Sequence, residues 1–540
     1  MRLALTTVAL TATALADPLG RVGFRNHAEF KARRAATMAE LHKRQNNTTP
    51  ARYRNDKTQP YYVASMPEVN FDFGEMYAGM IPLDRANPIA AASPTPSGED
   101  DALFFIFKPK DGEPVDELTI WLNGGPGCSS MEGFLQEVGP INWLAGTFAP
   151  VPNPYAWSNL TNMLFVDQPV GTGYSTGTPT ATSQEGIAAD FLNFLRRFQD
   201  IFGIANYKIY VTGESYAGRY VPYIANAMLD ANDTTHFDMS GILIYDPVIG
   251  SYDYMNELAA YPYIEAYNNV FNFNASFLAE LKQAHQDCGF EARNKQYLTF
   301  PPARNQPQLT WDISNPANRR CDVFLAAMVA ELSINPCFNP YDIVEPCPIL
   351  WDVLGFPGLT KWTPPGAEVY FDRADVKAAL HAPAINWTQC AVGDVFVAGA
   401  GKAGPHQNGD TSADPIQAVL PRVIDATQRV LISNGDFDYI VMTNATLLSI
   451  QNMTWGGQLG FQAPPAAPFN VEIVDEAWED AYAASGLLGI AATPGQMGVQ
   501  HYERGLMWVQ VWGAGHMLPM YSPRAAYLHL QWVLGRIDKF

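Results

Sequence analysis

The sequence predicts an α/β protein with a mostly parallel central sheet, helices on both faces of that sheet and an inserted cap. Short runs rich in β-branched and aromatic residues alternate with segments whose apolar residues recur at helical spacing, which is the pattern of strand–helix units. The alternation fades between residues 251 and 365, where four of the six cysteines gather. We therefore expect one large core, formed by residues 45–250 and 366–540, with residues 251–365 as the cap.

The strands of this core are predicted from apolar runs bounded by glycine, proline or polar residues. In chain order they span residues 77–82, 103–107, 118–122, 163–167, 207–212, 239–246, 428–433 and 506–512. Apolar spacing predicts helices over residues 184–203, 220–230 and 523–534. The polar, proline-containing residues 45–60 are expected to form a loose arm.

The first 44 residues have the pattern of export and processing signals. Residues 1–16 combine a positive start, a short apolar core and an Ala-x-Ala end, which is typical of a secretory signal peptide. Residues 17–44 are basic and end in Lys43-Arg44, a dibasic pair suited to a processing protease, so we interpret them as a propeptide. No later apolar run reaches the roughly 18 residues that span a bilayer. We expect an extracellular protein, with the vacuole as the alternative, and no membrane partner.

The composition argues against nucleic acid as a partner. The formal net charge is −20, so the chain has no cationic surplus to pair with phosphates. The Gly171-Thr-Gly173 loop lacks the full spacing of a dinucleotide or Walker motif. The chain is 47% hydrophobic, which is ample for a buried core.

Cysteines and sequons agree with an exported protein. Six cysteines form an even set, which in an oxidising compartment predicts three disulfides: Cys128, Cys288, Cys321, Cys337, Cys347 and Cys390. Zinc binding is the alternative, but there is no Cys-x-x-Cys pair and no nearby histidine doublet, so we expect neither a metal nor an organic cofactor. Eight sequons are candidate glycosylation sites: Asn46, Asn47, Asn159, Asn232, Asn274, Asn386, Asn444 and Asn452.

A serine between a predicted strand and a predicted helix is the first candidate catalytic residue. Ser215 lies in the segment Val211-Thr-Gly-Glu-Ser-Tyr-Ala-Gly-Arg219. A serine on such a sharp turn exposes its hydroxyl, and the amide of the next residue, Tyr216, helps to bind an oxyanion. Ala217 stands where a second glycine is usual, so the motif alone also fits an ordinary strand–helix turn.

A glycine-rich loop follows the predicted 118–122 strand, with the sequence Asn123-Gly-Gly-Pro-Gly-Cys-Ser-Ser130. Glycine lets a backbone approach a ligand closely, so Gly124 and Gly125 are candidates for the second amide of an oxyanion hole. A simple tight turn is the alternative.

Two later loops add an aspartate and a histidine. Asn434-Gly-Asp-Phe-Asp438 follows the 428–433 strand, and His516 follows the 506–512 strand. The order Ser, Asp, His is that of triads on α/β-hydrolase folds, where all three residues follow strand ends. His516 is expected to take the proton of Ser215, and an aspartate to orient the imidazole. On chemistry alone, either Asp436 or Asp438 serves.

Together these motifs strongly resemble those of the serine carboxypeptidases, especially the secreted fungal members. The resemblance covers nearly the whole chain after residue 44. It rests on five motifs in family order: Trp121-Leu-Asn-Gly-Gly-Pro-Gly-Cys-Ser-Ser130, Asp167-Gln-Pro-Val-Gly-Thr-Gly-Tyr-Ser175, Gly213-Glu-Ser-Tyr-Ala-Gly218, Gly435-Asp-Phe-Asp438 and Gly515-His-Met-Leu-Pro519. It implies an α/β-hydrolase fold, a triad of Ser215, Asp438 and His516, and an oxyanion hole formed by the amides of Gly125 and Tyr216.

The resemblance also implies a hydrogen-bond network that recognises the terminal carboxylate of the substrate. Its members are Trp121, Asn123, Gly124, Glu137 and Glu214. If Glu137 and Glu214 lie side by side, at least one keeps a proton and can donate a hydrogen bond at acidic pH. We therefore expect peptide recognition to weaken as the pH rises.

Further expectations concern the disulfides and the substrate pockets. The resemblance implies that Cys128 pairs with Cys390. For the other four cysteines we prefer nested pairing, although the sequence leaves it open: Cys288 with Cys347 and Cys321 with Cys337. Met517 and Ile440 are candidates for lining the leaving-residue pocket and the acyl-side pocket, respectively.

The activity that this resemblance implies is serine-type carboxypeptidase activity on the C termini of peptides and proteins. It proceeds through an acyl-enzyme, is favoured at acidic pH and needs no cofactor. An acyltransferase or esterase with the same triad is the alternative, and the carboxylate-binding set favours the peptidase.

Overall fold

The computed structural model describes residues 51–83, 101–251, 255–307, 316–355, 365–397, 409–471 and 495–540. The predicted signal peptide, the predicted propeptide, Asn46 and Asn47 lie outside these ranges. The chain divides into two compact units. The larger comprises Tyr53–Phe469 and Met497–Phe540. The smaller comprises Met1–Arg52 and Asn470–Gln496, of which only residues 51–52, 470–471 and 495–496 are described.

The described residues form a ten-stranded sheet with the strand order β1-β2-β6-β3-β7-β8-β9-β14-β13-β12. Its strands are β1 (Tyr77–Pro82), β2 (Ala102–Lys108), β3 (Glu117–Leu122), β6 (Asn162–Asp167), β7 (Lys208–Glu214), β8 (Asp238–Tyr245), β9 (Val430–Gly435), β12 (Ala467–Val471), β13 (Gly495–Glu503) and β14 (Leu506–Val511). Two short pairs stand apart: β4 (Ile141–Asn142) with β5 (Val151–Pro152), and β10 (Thr454–Trp455) with β11 (Gln458–Leu459).

The six central strands, from β6 to β14 in the sheet order, are all parallel. The strands β1, β2 and β13 pair antiparallel at the two sides. Register places Glu214 beside Tyr245 and Tyr245 beside Ser433, so the carboxyl ends of β7, β8 and β9 meet at one edge. In such sheets this edge holds the functional loops.

The described α-helices are α1 (Gln184–Phe202), α2 (Ala217–Ala231), α3 (Glu257–Ala266), α4 (Asn268–Phe271), α5 (Ala275–Asp287), α6 (Phe290–Tyr297), α7 (Val323–Ile334), α8 (Ala374–Ala379), α9 (Pro415–Ala418), α10 (Leu420–Thr427), α11 (Thr443–Gln451), α12 (Leu518–Tyr521) and α13 (Pro523–Val533). Shorter helical turns are Gln59–Tyr61, Gly133–Glu137, Trp157–Asn159, Pro316–Cys321 and Tyr370–Asp372. None of the described helices is long and apolar enough to cross a membrane.

Both faces of the sheet are covered. Alternate residues of β3 point to opposite faces. Ile120 joins the core formed with α1, α2 and α10. Trp121 instead contacts Trp157 and Tyr245, and the Tyr245 ring in turn contacts His529 of α13. The predicted fold class, an α/β-hydrolase arrangement with a mostly parallel sheet and helices on both faces, is confirmed.

The predicted cap range is mainly helical. It contains α3 to α7, and apolar residues of α3, α4, α5 and α7 form a cluster with the segment after Asp438. Tyr439 in that segment is fully buried, stacks on Phe324 of α7 and donates a hydrogen bond to the Phe324 carbonyl at 3.0 Å. The inserted residues therefore pack directly against one of the loops at the functional edge.

The structure corrects two expectations. The preferred nested pairing of four cysteines is wrong, because the bonds join Cys288 to Cys321 and Cys337 to Cys347. The third bond joins Cys128 to Cys390, the pairing that the resemblance implies. The predicted loose arm is also too long: Tyr53 is buried and its ring contacts Phe107 of β2, so the packed chain begins before residue 60.

Candidate active site

Ser215 occupies a strained turn directly after β7. Its φ is +60°, a left-handed conformation that non-glycine residues seldom adopt. The turn is held by three backbone hydrogen bonds: Ser215 N donates to Tyr245 O at 2.8 Å, and Ser215 O accepts from the amides of Gly218 and Val248, each at 2.9 Å. Such strain at a turn is typical of functional sites, and here it aims the serine away from the sheet.

The contacts around Ser215 explain why alanine fits at position 217, where the usual motif has a second glycine. A Cβ at Gly213 would lie 2.2 Å from the Leu122 carbonyl oxygen, so glycine is required there. The position of Ala217 is buried and accommodates a methyl group. The crowded second position is Gly218 instead, where a Cβ would lie 2.6 Å from the Val248 amide. The position after Ser215 that has no room for a side chain is therefore 218, one residue later than the usual motif places it.

Asp438 and His516 form a buried pair. The Nδ1 atom of His516 and the Oδ2 atom of Asp438 are 2.6 Å apart. Asp438 is fully buried, and its Oδ1 accepts hydrogen bonds from the amides of Ile440 at 2.7 Å and Val441 at 3.1 Å. The ring of His516 is packed edge-on against Tyr341, with centroids 5.2 Å apart. The carboxylate therefore fixes the orientation and the tautomer of the imidazole.

The second aspartate of the loop, Asp436, has a structural role. Its Oδ1 accepts a hydrogen bond from the Gly513 amide at 2.7 Å, and its Oδ2 accepts one from the Tyr267 hydroxyl at 3.1 Å. These contacts tie the loop after β9 to the loop after β14 and to α3. Asp438, and not Asp436, is therefore the aspartate that contacts His516. The chemistry of the sequence alone left this choice open.

A further buried carboxyl, Asp246, lies behind Asp438. Its Oδ1 accepts hydrogen bonds from the Gly435 amide at 2.9 Å and from Asn434 Nδ2 at 3.3 Å. Burial and the charge of Asp438 raise the pKa of Asp246 well above its usual range. Burial and the neighbouring carboxylate thus favour the neutral, protonated form of Asp246. Sequence analysis did not single out this residue, although it is the last residue of the predicted 239–246 strand.

The glycine-rich loop passes close to Ser215 and to the amide of Tyr216. A Cβ at Gly124 would lie 2.6 Å from the Tyr216 amide nitrogen and 2.7 Å from Ser215 Cβ, so the loop approaches the serine closely only because Gly124 has no side chain. The side of this loop away from Ser215 is joined to the later part of the core by the Cys128–Cys390 bond. Gly125 follows within the same loop.

Tyr216 is held by a buried charged network. Its hydroxyl donates to Asp410 Oδ2 at 2.8 Å, and the same oxygen accepts from Arg219 Nε at 3.1 Å. Both charged side chains have no exposed surface. Because Tyr216 begins the turn into α2, this network fixes the orientation of its amide. Neither Arg219 nor Asp410 was identified from the sequence.

The residues that the resemblance assigns to carboxylate recognition lie together. Asn123 links them: its Oδ1 accepts from Trp121 Nε1 at 2.7 Å, and its Nδ2 donates to Glu214 Oε1 at 2.8 Å. Trp121 is fully buried, so it acts by orienting Asn123. Glu137 ends the helical turn Gly133–Glu137 within hydrogen-bonding reach of Glu214.

Glu137 and Glu214 form a buried carboxyl pair. Each is 3% exposed, and among the described residues no N–H or O–H donor reaches Glu214 Oε2. Burial raises the pKa of both carboxyls well above the usual range. The neighbouring charge of Glu137 raises the pKa of Glu214 further, and the charge of Glu132 raises the pKa of both residues. The raised pKa favours the neutral, protonated form of these carboxyls, and a protonated carboxyl can donate a hydrogen bond.

The two predicted pocket residues lie on different sides of the site. Ile440 is half-buried and packs against the apolar cluster of α3 to α7. Met517 is nearly buried and lines a cleft with Glu132 and Asp352. Sequence analysis missed these two acids. Glu132 could have been noticed, because it lies two residues after the end of the glycine-rich loop, whereas Asp352 lies in the irregular part of the cap.

The fold and these side chains define the class of a serine hydrolase of the α/β-hydrolase fold. The chain belongs to the serine carboxypeptidase family, peptidase family S10, whose model matches residues 85–536. It is 52% identical to serine-type carboxypeptidase F of Aspergillus niger over 529 residues, which cover 98% of this chain and 96% of that protein. It is 38% identical to a carboxypeptidase Y homolog of Arthroderma benhamiae, covering 90% and 89% of the two chains.

A solved structure supports the fold. The prohormone-processing carboxypeptidase Kex1Δp of Saccharomyces cerevisiae superposes with a TM-score of 0.64 at 23% identity, covering 89% of this chain and 96% of that chain. At this identity the likeness concerns the fold alone. The prediction of a serine-type carboxypeptidase is confirmed at the level of the family.

Proposed function

We propose that this protein releases single residues from the C termini of peptides through an acyl-enzyme on Ser215. His516 takes the proton of the Ser215 hydroxyl as it attacks the scissile carbonyl, and then gives that proton to the leaving amine. A water molecule attacks the acyl-enzyme in the same way and frees the enzyme. Asp438 stabilises the imidazolium, and the amides of Gly125 and Tyr216 stabilise the oxyanion.

The observation that carries this proposal is the position of the carboxyl pair relative to the serine. Glu214 directly precedes Ser215, and Asn123 bonds to Glu214 while the next residue, Gly124, abuts Ser215. A terminal carboxylate held by Asn123, Gly124, Glu214 and Glu137 places the peptide bond of the last residue, and no other bond, at Ser215. This geometry supports an exopeptidase over an endopeptidase.

The test compares a blocked dipeptide that has a free C-terminal carboxylate with its C-terminally amidated twin, at mildly acidic pH. We expect rapid release of the last residue from the free acid and at least a hundredfold lower kcat/KM for the amide, because only the acid engages the carboxyl pair. A matched blocked amino-acid ester reports the acyl-enzyme chemistry separately. Turnover of the ester without release from the dipeptide would support an esterase or acyltransferase instead.

The carboxyl pair predicts a pH-dependent KM. The raised pKa values of Glu137 and Glu214 keep one proton on the pair at acidic pH, and that proton is lost as the pH rises. A neutral donor is then replaced by a negative charge that faces the substrate carboxylate. We expect KM for the blocked dipeptide to increase at least tenfold between pH 5 and pH 8.

The control for this prediction is Glu214→Gln, whose amide donates a hydrogen bond at every pH. In this variant the KM profile should be much flatter, whereas KM for the ester, which has no terminal carboxylate, should be flat in both enzymes. A flat dipeptide profile in the unmodified enzyme contradicts the assignment.

We further propose that the protein is exported after loss of residues 1–16 and matured by cleavage after Lys43-Arg44. Sequons with exposed asparagines support glycosylation at Asn159, Asn232, Asn274, Asn386 and Asn444. Asn452 is different: it is 6% exposed and its Oδ1 accepts a hydrogen bond from the Gln306 amide at 2.7 Å. The folded structure argues against a glycan at Asn452.

A further inference from the structure

A fully buried carboxyl, Asp246, lies behind the triad and is not used by the mechanism proposed above. It directly follows β8, and its φ of +41° is left-handed, a conformation that aspartate and asparagine adopt more readily than most residues. The Asp246 amide donates to the Ser433 carbonyl at 2.8 Å. This bond joins the end of β8 to β9, and the loop after β9 carries Asp438.

The four side-chain oxygens of Asp246 and Asp438 have different partners. Oδ1 of Asp438 accepts from two backbone amides, and its Oδ2 contacts Nδ1 of His516. Oδ1 of Asp246 accepts from the Gly435 amide and from Asn434 Nδ2. Oδ2 of Asp246 differs from these three oxygens: it is buried, and no N–H or O–H donor of the described residues reaches it.

The two carboxyls lie within hydrogen-bonding reach of each other. In the part of the chain that the structure describes, neither of them forms an ion pair with a lysine or an arginine; Asp438 pairs with His516. Two buried carboxylates in contact repel each other strongly, because the interior screens their charges poorly. A proton between them removes this repulsion. Since the other three oxygens already face N–H groups, the place left for that proton is Oδ2 of Asp246.

From this geometry we propose that Asp246 is a positioning residue of the triad, whose Oδ2–H donates a hydrogen bond to the Asp438 carboxylate and holds it against His516. The proposal rests on the acyl-enzyme function proposed above and concerns the same site. A hydrogen bond from a neutral acid to a carboxylate is strong, because the acceptor is charged. Asp246 also keeps a second negative charge away from the imidazole as long as it remains protonated.

The proposed hydrogen bond depends on pH. Burial and the charge of Asp438 raise the pKa of Asp246 well above its usual range, although the Gly435 amide and the Asn434 side chain oppose this rise. The bond is therefore present at acidic pH, and a rise in pH removes it and leaves two carboxylates in contact. The other titratable groups around the pair are Glu214, Tyr245, Tyr263, Tyr341, Asp342, His516 and Tyr521.

The experiment compares the unmodified enzyme with Asp246→Asn, whose amide donates to Asp438 at every pH and whose backbone tolerates the left-handed conformation. The substrate is a blocked amino-acid ester, which has no terminal carboxylate and so does not report on Glu137 and Glu214. At pH 5 we expect kcat of the variant within about threefold of the unmodified enzyme, since one neutral donor replaces another. Between pH 5 and pH 9, kcat of the unmodified enzyme should fall at least fivefold relative to the variant.

Two further measurements separate positioning from a purely structural role. The infrared difference spectrum between the unmodified enzyme and Asp246→Asn at pH 5 should show the carbonyl band of a protonated carboxyl. Asp246→Gly fits the same backbone but has no donor, so it should lower kcat at least tenfold at pH 5 with KM within a few-fold. Asp56→Asn, an exposed change, is the matched control and should leave every one of these values unaltered.

A purely structural Asp246 would be ionised in the unmodified enzyme, and its replacement by asparagine would remove a negative charge beside Asp438. The acidic limb of the kcat/KM profile for the ester would then move to lower pH by about one unit, and the infrared band would be absent. Either result, or parallel kcat profiles in the two enzymes, overturns the proposal.

Release of the last residue from the blocked dipeptide is measured in parallel with the unmodified enzyme. If the residue is released while the variants contradict the expectations for Asp246, the carboxypeptidase function stands and only the inference about Asp246 fails. If neither the dipeptide nor the ester is turned over, the proposed function itself fails.

Discussion

Replacing Ser215 with alanine is expected to lower kcat for a blocked dipeptide by about 10⁶-fold, because no other group can form the acyl-enzyme. Ser215 heads the strained turn after β7, and the glycine-rich loop and the Tyr216 amide lie close beside it. An alanine fits the same space, so the fold and the carboxylate-binding residues should be retained. The measurement is single-turnover and steady-state release of the last residue.

Two controls accompany the Ser215→Ala measurement. Calorimetric binding of the intact dipeptide should remain within a few-fold of the KM of the active enzyme, since Asn123 and Glu214 are unchanged. Ser333→Ala removes an exposed hydroxyl of α7 that donates to the Val329 carbonyl within the same helix, and it should leave kcat unaltered. Retention of more than about 1% of activity by Ser215→Ala would exclude it as the nucleophile.

Replacing Asp438 with asparagine is expected to lower kcat by about 10⁴-fold with little change in KM. The carboxylate accepts from His516 Nδ1 and from two backbone amides, so it holds the imidazole with Nε2 free to accept a proton. An asparagine amide can donate to Nδ1 and favour the wrong tautomer. The loss should appear in kcat over the whole pH range, because it does not depend on the Glu137–Glu214 proton.

The matched control is Asp436→Asn, two residues earlier in the same loop. Its hydrogen bonds come from the Gly513 amide and the Tyr267 hydroxyl, and an asparagine carbonyl can accept one of them. We expect kcat to stay within about tenfold of the unmodified enzyme, with a lower Tm. An equal loss in both variants would mean that disruption of the loop, and not the tautomer of His516, causes the effect.

Much of the fold could be predicted because strands and helices have different apolar periods. The eight predicted strands all correspond to strands of the large sheet, and Ser215, Asp438 and His516 each follow one of them. β12 and β13 were missed. Most positions of β13 are only partly buried and just one is buried, so the strand has no apolar run to indicate it. The helical nature of the cap was missed as well, since its helices pack on one another and lack a regular polar face.

Other features depend on long-range packing that no local pattern encodes. The four cap cysteines pair with near neighbours. Cys288 bonds to Cys321 because α5 and the turn Pro316–Cys321 lie side by side. Cys337 and Cys347 are ten residues apart, so closing the loop between them has a low entropy cost. The distinction between Asp436 and Asp438 depends on which carboxylate faces His516. The acids of the cleft beside Met517, Glu132 and Asp352, come from two segments that only the folded chain brings together.

The place of β14 in the sheet has a consequence for when activity first arises during synthesis. β14 pairs with β9, and His516 lies in the loop that follows β14, about 300 residues after Ser215 in the chain. Until β14 has been added, β9 remains an open sheet edge and the nucleophile has no base, however well the earlier strands have folded. A nascent chain of this enzyme therefore cannot cleave its neighbours, or itself, before nearly all of its sheet is in place.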